Sequence, residues 1–290
     1  MGNSPDIISV VFDFDDTLAP DSTTKLLREH GMDTDRFWRT DVAQLVEHGY
    51  DPALAWLNLV LENIGPGKPL GQLTNQHLRE FGATLDADFF PGLPQLFDDF
   101  RAQVRTFKDI GIELYIITGG LQEVIEGSQV VQKHFAAVYG SRLAGNGEDQ
   151  TLRRIRRCVT FTEKTRYLFE INKGLDPSRT AKNPFLVNED IPQAKRRVPF
   201  RNTIYVGDGL TDIPCFSLLK QSGGYPFGVF DPSEPEKAKR ALLKFLRPDR
   251  VISMHAPKYG QDDELGALLR ATVTTIASDI QVRREIAERS

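Results

Sequence analysis

The sequence predicts a three-layer α/β fold, a parallel sheet covered by helices on both faces, with an inserted all-helical domain. Four short apolar runs, at residues 7–12, 112–118, 202–208 and 225–231, read as strands buried on both sides. Helical patterns lie between them, and strand and helix in alternation give a parallel sheet covered above and below. The alternation is interrupted from residue 21 to about residue 88, where only the 3.6-residue helical period is found.

The first run, IISVVF, ends in DFDDT, which places Asp13, Asp15 and Asp16 at the mouth of a buried strand. The segments STTKLLREHG, DTDRFWRTDVAQLVEHG and DPALAWLNLVLENIG follow as helices. Over residues 19–88 they carry 11 Asp and Glu against 6 Lys and Arg, so the insertion is acidic. Entering directly after the first strand, it is expected to pack over the strand ends as a lid. Trp38 and Trp56 fall on its apolar faces, where core packing is the default and lining a pocket the alternative. The expected domains are therefore a core of residues 1–20 and 89–290 and a helical cap of residues 21–88.

Next come a helical pattern at 92–111, closed by Gly111, and the strand IELYIITGG. TLRRIRRCVTF sets Arg153, Arg154, Arg156 and Arg157 within five residues. It reads as the solvated face of a hairpin, since no aromatic residue interleaves to stack bases. A helix at 163–174 ends at Gly174, and the strands NTIYVGD and YPFGVFD complete the alternation. His30, His48, His77, His134 and His255 are scattered without ligand spacing.

Composition excludes several function classes. In 290 residues, 40% are hydrophobic and 26% charged, as in a globular protein and unlike a disordered one. A net charge of −4 offers no general attraction to nucleic acid or anionic lipid, so neither is expected as a partner. No apolar run approaches the roughly 20 residues that span a bilayer. MGNSPDII lacks the blocks of a signal peptide, and Asp6 stands where myristoylation of Gly2 wants Ser or Thr. Cys158 and Cys215 form neither a metal spacing nor a disulfide framework, so a reducing cytoplasm is expected.

Carboxylates crowded at one strand end are tolerable if a divalent cation sits among them, and a hard ion such as Mg²⁺ prefers oxygen ligands. A cap on the next turn would explain Asp16 alone. A second acidic group, Asp208 and Asp212 in YVGDGLTD, follows a later strand at a spacing of one helical turn, and two acids so placed can face one ion.

The pattern resembles the haloacid dehalogenase superfamily. Asp13, Asp15 and Thr17 match its first motif, Thr118 at the end of LYIIT its second, and Gly207, Asp208 and Asp212 its fourth, all in the expected order. TGG and GDGLTD resemble the branch that contains phosphoserine phosphatase, with a helical cap of the first type. Asp16 and Thr17 stand where that branch usually reads Ser and Thr, so its substrate is not carried over. The resemblance implies a Rossmann-like core and a Mg²⁺-dependent phosphatase acting on a small phosphorylated metabolite through an aspartyl phosphate. Asp13 would be nucleophile and Asp15 general acid and base. The Asp13 carboxylate, the Asp15 carbonyl and Asp208 would hold the metal, with Asp212 a ligand or its neighbour. Thr17, Thr118, Gly119 and Gly120 would bind the phosphate. The lysine of the third motif is expected to be Lys164, just after an apolar stretch and at a helix start, with Lys173 the alternative and Lys182 and Lys195 in Pro-containing loops. Transfer of the phosphoryl group to an acceptor other than water remains open, as does a phosphate-binding regulator without turnover.

Overall fold

The computed structural model describes residues 6–145, 149–233, 236, 239 and 242–289; Gly2, with the rest of the first five residues, lies outside them. Its strands are β1 (Asp6–Phe12), β2 (Ile110–Leu121), β3 (Ala137–Gly145), β4 (Leu152–Arg157), β5 (Thr203–Gly207), β6 (Tyr225–Val229) and β7 (Ser253–His255). They form one sheet in the order β4-β3-β2-β1-β5-β6-β7. All neighbours are parallel except β3 and β4, which pair antiparallel. This is the mostly parallel, Rossmann-like sheet that the sequence predicts.

The strands β1, β5 and β6 are mostly apolar because both faces are covered. Along β1, Ile8, Val10 and Phe12 pack into a cluster with Phe97 and Phe100 of α6 (Gln95–Val104) and Leu265, Leu269 and Val273 of the C-terminal helix, α12 (Glu264–Arg289). The alternate residues Ile7 and Val11 join Tyr167, Leu168 and Ile171 of α9 (Phe161–Lys173), which α10 (Pro177–Thr180) follows, and Cys215, Phe216 and Leu219 of α11 (Ile213–Gln221). Each such burial is worth roughly 1.5–3 kcal/mol against the exposed side chain, which fixes the register that brings the strand ends together.

Between β1 and α6 the chain is helical, with α1 (Ser22–Glu29), α2 (Thr34–Arg36), α3 (Ala43–Glu47), α4 (Pro52–Glu62) and α5 (Asn75–Gly82). A π-helical turn, Phe37–Val42, joins α2 to α3. Local chemistry starts these helices: the Asp21 carboxylate accepts from Thr24 N–H, and Asp51 caps α4 with Pro52 in its first turn. Trp38 and Trp56 pack together with ring centroids 6.3 Å apart, and the Trp38 indole N–H donates to the Thr24 hydroxyl. The segment closes on the sheet through α7 (Gln122–Gly127), which is followed by α8 (Gln129–His134). A Cβ on Gly82 would lie 1.8 Å from the Val124 carbonyl oxygen, and one on Gly127 2.1 Å from that of Arg79, so α5 and α7 meet backbone to backbone.

Gly111 does not close a helix: α6 ends at Val104, and Gly111 already lies in β2 opposite Ile7. Its missing side chain makes room for Ile7, whose Cδ1 would lie 2.8 Å from a Cβ there. Gly174 does close α9, in the left-handed region at φ 69°. The arginine-rich stretch is the outer strand of a hairpin, and its partner β3 carries too mixed a pattern to read as a strand. Among the described residues no helix is long and apolar enough to cross a membrane, and Cys158 and Cys215 are free thiols.

Candidate active site

The order β3-β2-β1-β5-β6 places β1 where the chain first turns to one side of the sheet and later to the other, the position at which ligands bind beyond the strand ends of open α/β sheets. The polar residues singled out in the sequence collect there. Asp13 leaves β1 with its N–H bonded to the Val206 carbonyl of β5. Its Oδ1 accepts from Phe14 N–H at 2.8 Å and its Oδ2 from Lys164 Nζ at 2.6 Å. The chain then tightens: Leu18 N–H returns to the Phe14 carbonyl, and Asp16 takes a left-handed conformation at φ 55°.

That turn swings Asp15 toward the end of β2. Its Oδ1 accepts from Ser22 N–H at 2.7 Å. A Cβ on Gly120 would fall 2.6 Å from Asp15 Oδ2 and 3.3 Å from Thr118 Oγ1, so only glycine lets this carboxyl lie against the β2 backbone. Thr118 is buried and its Oγ1 accepts from Gly120 N–H at 3.0 Å. The Gly119 carbonyl is tied to β3 through the Ser141 hydroxyl at 2.8 Å.

Lys164 is 1% exposed and bridges two carboxylates, donating to Asp13 and, at 2.7 Å, to Asp212 Oδ1. Lys173 is elsewhere, with its ammonium on the carbonyls of Val187 and Glu189. Asp212 is held from both oxygens: Oδ1 also accepts from the Tyr205 hydroxyl at 2.7 Å, and Oδ2 from Gly209 N–H at 2.9 Å. Thr17 is buried and its hydroxyl points at Asp208 Oδ1, 3.4 Å away.

One ammonium stands among buried and half-buried carboxylates here, and most of these carboxyls hold protons more tightly than free ones. Burial pushes the Asp13 carboxyl up to about 6, against the pull of Lys164. Burial and then the neighbouring Asp21 push Asp15 up to about 8. Asp208 is raised well above the usual carboxylate range by burial and by Asp13 and Asp212. Lys164 is held charged by the two carboxylates, which outweigh its burial.

Carboxylate oxygens of Asp13, Asp208 and Asp212 lie within 4.8 Å of one another. An all-oxygen set carrying more negative charge than its lysine offsets fits a hard divalent cation such as Mg²⁺. Within the set, Asp212 already accepts from Lys164, Tyr205 and Gly209, and Asp13 from Phe14 and Lys164, so of the roughly four lone-pair sites of a carboxylate Asp212 keeps fewer for an ion than Asp13.

Sequence reasoning did not find Tyr205, Ser141 or Tyr259. Tyr205 is two residues before Gly207 on β5, so the period of a strand could have placed it on the face of Asp212. Tyr259 has no such signal: it lies 242 residues from Thr17, fully buried, and its hydroxyl donates to the Thr17 carbonyl at 2.6 Å. Tyr259→Phe strands that carbonyl, and is expected to lower stability by about 1–3 kcal/mol and to reduce turnover by loosening the turn that carries Asp15. Thermal melting and steady-state rates check this; an unchanged Tm with an unchanged rate refutes it.

A family model described as haloacid dehalogenase-like hydrolase matches residues 10–217. An uncharacterized protein of Borreliella burgdorferi is 29% identical over 240 residues, covering 76% of this chain and 80% of its own. A structure described as a phospho-aspartyl intermediate analogue of phosphoserine phosphatase superposes with a TM-score of 0.53 at 14% identity, over 92% of this chain and 99% of that one. Phosphoserine phosphatase in its apo form gives 0.50 at 15% identity, over 91% and 98%. At these identities the two structures report on the fold.

Proposed function

The chain belongs to the haloacid dehalogenase-like hydrolases, and on that premise we propose that it is a Mg²⁺-dependent phosphatase that hydrolyses a small phosphomonoester through an aspartyl phosphate on Asp13. The observation that carries the reading is the pairing of two carboxyls two residues apart with different proton affinities. Burial pushes both up, Asp13 to about 6 against the pull of the Lys164 ammonium 2.6 Å away and Asp15, packed on Gly120, to about 8. At neutral pH the first is an anion able to attack phosphorus, and the second holds a proton for the leaving group.

A magnesium ion bound by the Asp13 carboxylate, the Asp15 carbonyl and Asp208 would supply positive charge against the phosphoryl oxygens. The other steps belong to the chain. Lys164 neutralises part of the phosphoryl charge and holds the Asp13 carboxylate through its Oδ2. The Thr118 hydroxyl and the amides of Gly119 and Gly120 donate to phosphoryl oxygens, which requires Gly120 N–H to leave its bond to Thr118 Oγ1. Thr17 and Tyr259 hold the turn between them. As Asp13 attacks, the Asp15 carboxyl gives its proton to the departing alkoxide, and the resulting carboxylate then takes a proton from the water that cleaves the aspartyl phosphate.

The helices of residues 21–88 act in this reading as the cap of a core made of 1–20 and 89–290. The Ser22 amide, at the start of α1, gives the cap a direct hold on Asp15. Its excess of acidic residues favours substrates with a neutral or cationic alcohol part over nucleotides and bisphosphates.

One experiment tests the reading and the acid role together. Phosphate release is measured with Mg²⁺ from nitrophenyl phosphate and a panel of small alkyl phosphates, nucleotides and bisphosphates, for the wild type and Asp15→Asn. The wild type is expected to hydrolyse aryl and alkyl monoesters, nucleotides ranking last. Asp15→Asn should lose about 10²–10⁴-fold with alkyl esters and far less with nitrophenyl phosphate, whose leaving group needs little protonation. No release from any ester contradicts the phosphatase; equal losses with both leaving groups contradict the acid role.

A further inference from the structure

The arginine-rich hairpin has an inward side that the catalytic chemistry leaves unused. Arg153, Arg154 and Arg156 of β4 are exposed, whereas Arg157 is half-buried. It lines a cavity of about 210 Å³ together with Gln122, Tyr139, Arg142, Arg166 and Tyr167. Tyr139 and Tyr167 stack with centroids 4.6 Å apart. The guanidinium carbons of Arg157 and Arg166 lie 5.9 and 5.0 Å from the centre of the Tyr167 ring. Two of the three arginines are compensated: Arg142 pairs with buried Glu123 at 2.7 Å, and Arg166 with buried Glu170 at 2.9 Å and with Glu163.

Arg157 is different. Its Nη1 donates to the neutral Gln122 amide oxygen at 3.1 Å, and among the described residues no carboxylate pairs with it. A guanidinium has five N–H donors in a planar fork that matches a tetrahedral or planar oxyanion. Beside it, Tyr167 is 1% exposed, and among the described residues its hydroxyl has no hydrogen-bond partner. Buried polar groups are seldom left so. The volume is below the roughly 300–1,000 Å³ of pockets for drug-sized molecules, so the occupant is small.

We propose that this cavity is a second anion site, distinct from the catalytic centre, that takes a small phosphate-class oxyanion with Arg157 as its anchor. An occupant there is close to the chemistry through the backbone. Helix α9 carries Lys164 one turn before Tyr167, and Gln122, which holds Arg157, follows Gly120 by two residues.

The test uses the full-length protein in EDTA at pH 8. Phosphate held at the catalytic centre makes no contact with Arg157, so the response of binding to Arg157 variants separates the cavity from that centre. Inorganic phosphate is titrated by calorimetry and by thermal shift, against chloride at equal ionic strength. Wild type is expected to show saturable binding. Arg157→Gln should weaken it by about 10-fold or more, and Arg157→Lys by less, since lysine keeps the charge and loses the planar fork. If Arg157→Gln fails to fold, Arg157→Lys decides by the same comparison. Equal phosphate affinity in wild type and variants, or a wild-type response no larger than that to chloride, overturns the proposal.

Discussion

Asp13→Asn is expected to reduce turnover by about four orders of magnitude or more, the loss typical of removing a covalent nucleophile, while the fold survives. Asn is nearly isosteric with Asp and keeps an oxygen for the Phe14 amide, but it cannot form an acyl phosphate. Residual activity within about 100-fold of wild type would contradict covalent catalysis on this residue. The same substitution should raise the Tm of the metal-free protein at pH 8. The folded-state values of Asp13, Asp15 and Asp208 lie above the 3.8 of a free side chain, near 6 for the first and near 8 for the second. The folded chain therefore holds protons that the unfolded chain releases. Their contribution to stability is present below pH 4 and is lost as pH rises through 6 and then 8. Metal-free wild type should accordingly melt at higher temperature at pH 5 than at pH 8, and Asp13→Asn should narrow that difference.

Lys164→Ala acts in the opposite direction on stability. The wild-type ammonium stands 2.6 Å from Asp13 and 2.7 Å from Asp212, all three groups being buried. Removing one partner from a buried ionic cluster leaves uncompensated charge, at a cost of about 3–5 kcal/mol. Because the two carboxylates raise the folded-state value of Lys164, its contribution is fully present at neutral pH, and the deficit is read directly by denaturant melts at pH 8. It should shrink near pH 5, where the stranded carboxylates can take up protons. Turnover should fall by about 10²–10³-fold, as when one charge-stabilising donor is deleted from a reaction centre. A stable, active variant would place the phosphate-binding charge elsewhere.

These residues were legible because each sits in a short string at the end of an apolar run. DFDDT, TGG and YVGD are local patterns, and burial on both sheet faces forces their strands into one sheet, which aligns their ends. Lys164 was harder, since it belongs to no string and is brought in by α9 packing against β2 and the helix Ile213–Gln221; its place at a helix start after an apolar stretch was the usable sign. Tyr259 and the Ser22 amide could not be read, the first because its partner is 242 residues away, the second because a backbone N–H has no sequence signature. Among the elements, β3 escaped because Gly140, Ser141 and Arg142 break its apolar pattern, and β7 because it is three residues long. Gly111 was misread as a helix end because a glycine that makes room for Ile7 is indistinguishable in sequence from one that turns the chain.

The placement of β4 at the border of the sheet bears on how the protein avoids its own copies. A border strand presents backbone donors and acceptors on which another chain can add a strand, and apolar borders are where such growth begins. Here the outermost strand reads LRRIRR, reversed relative to the rest, with Arg153, Arg154 and Arg156 exposed. Two molecules meeting along it would set rows of guanidinium groups beside one another, and like charges directly opposite in paired strands are destabilising. At the opposite border, β7 is too short to serve as a template. The sheet thus ends in charge on one side and in brevity on the other, which keeps a long parallel array of apolar strands from propagating between molecules.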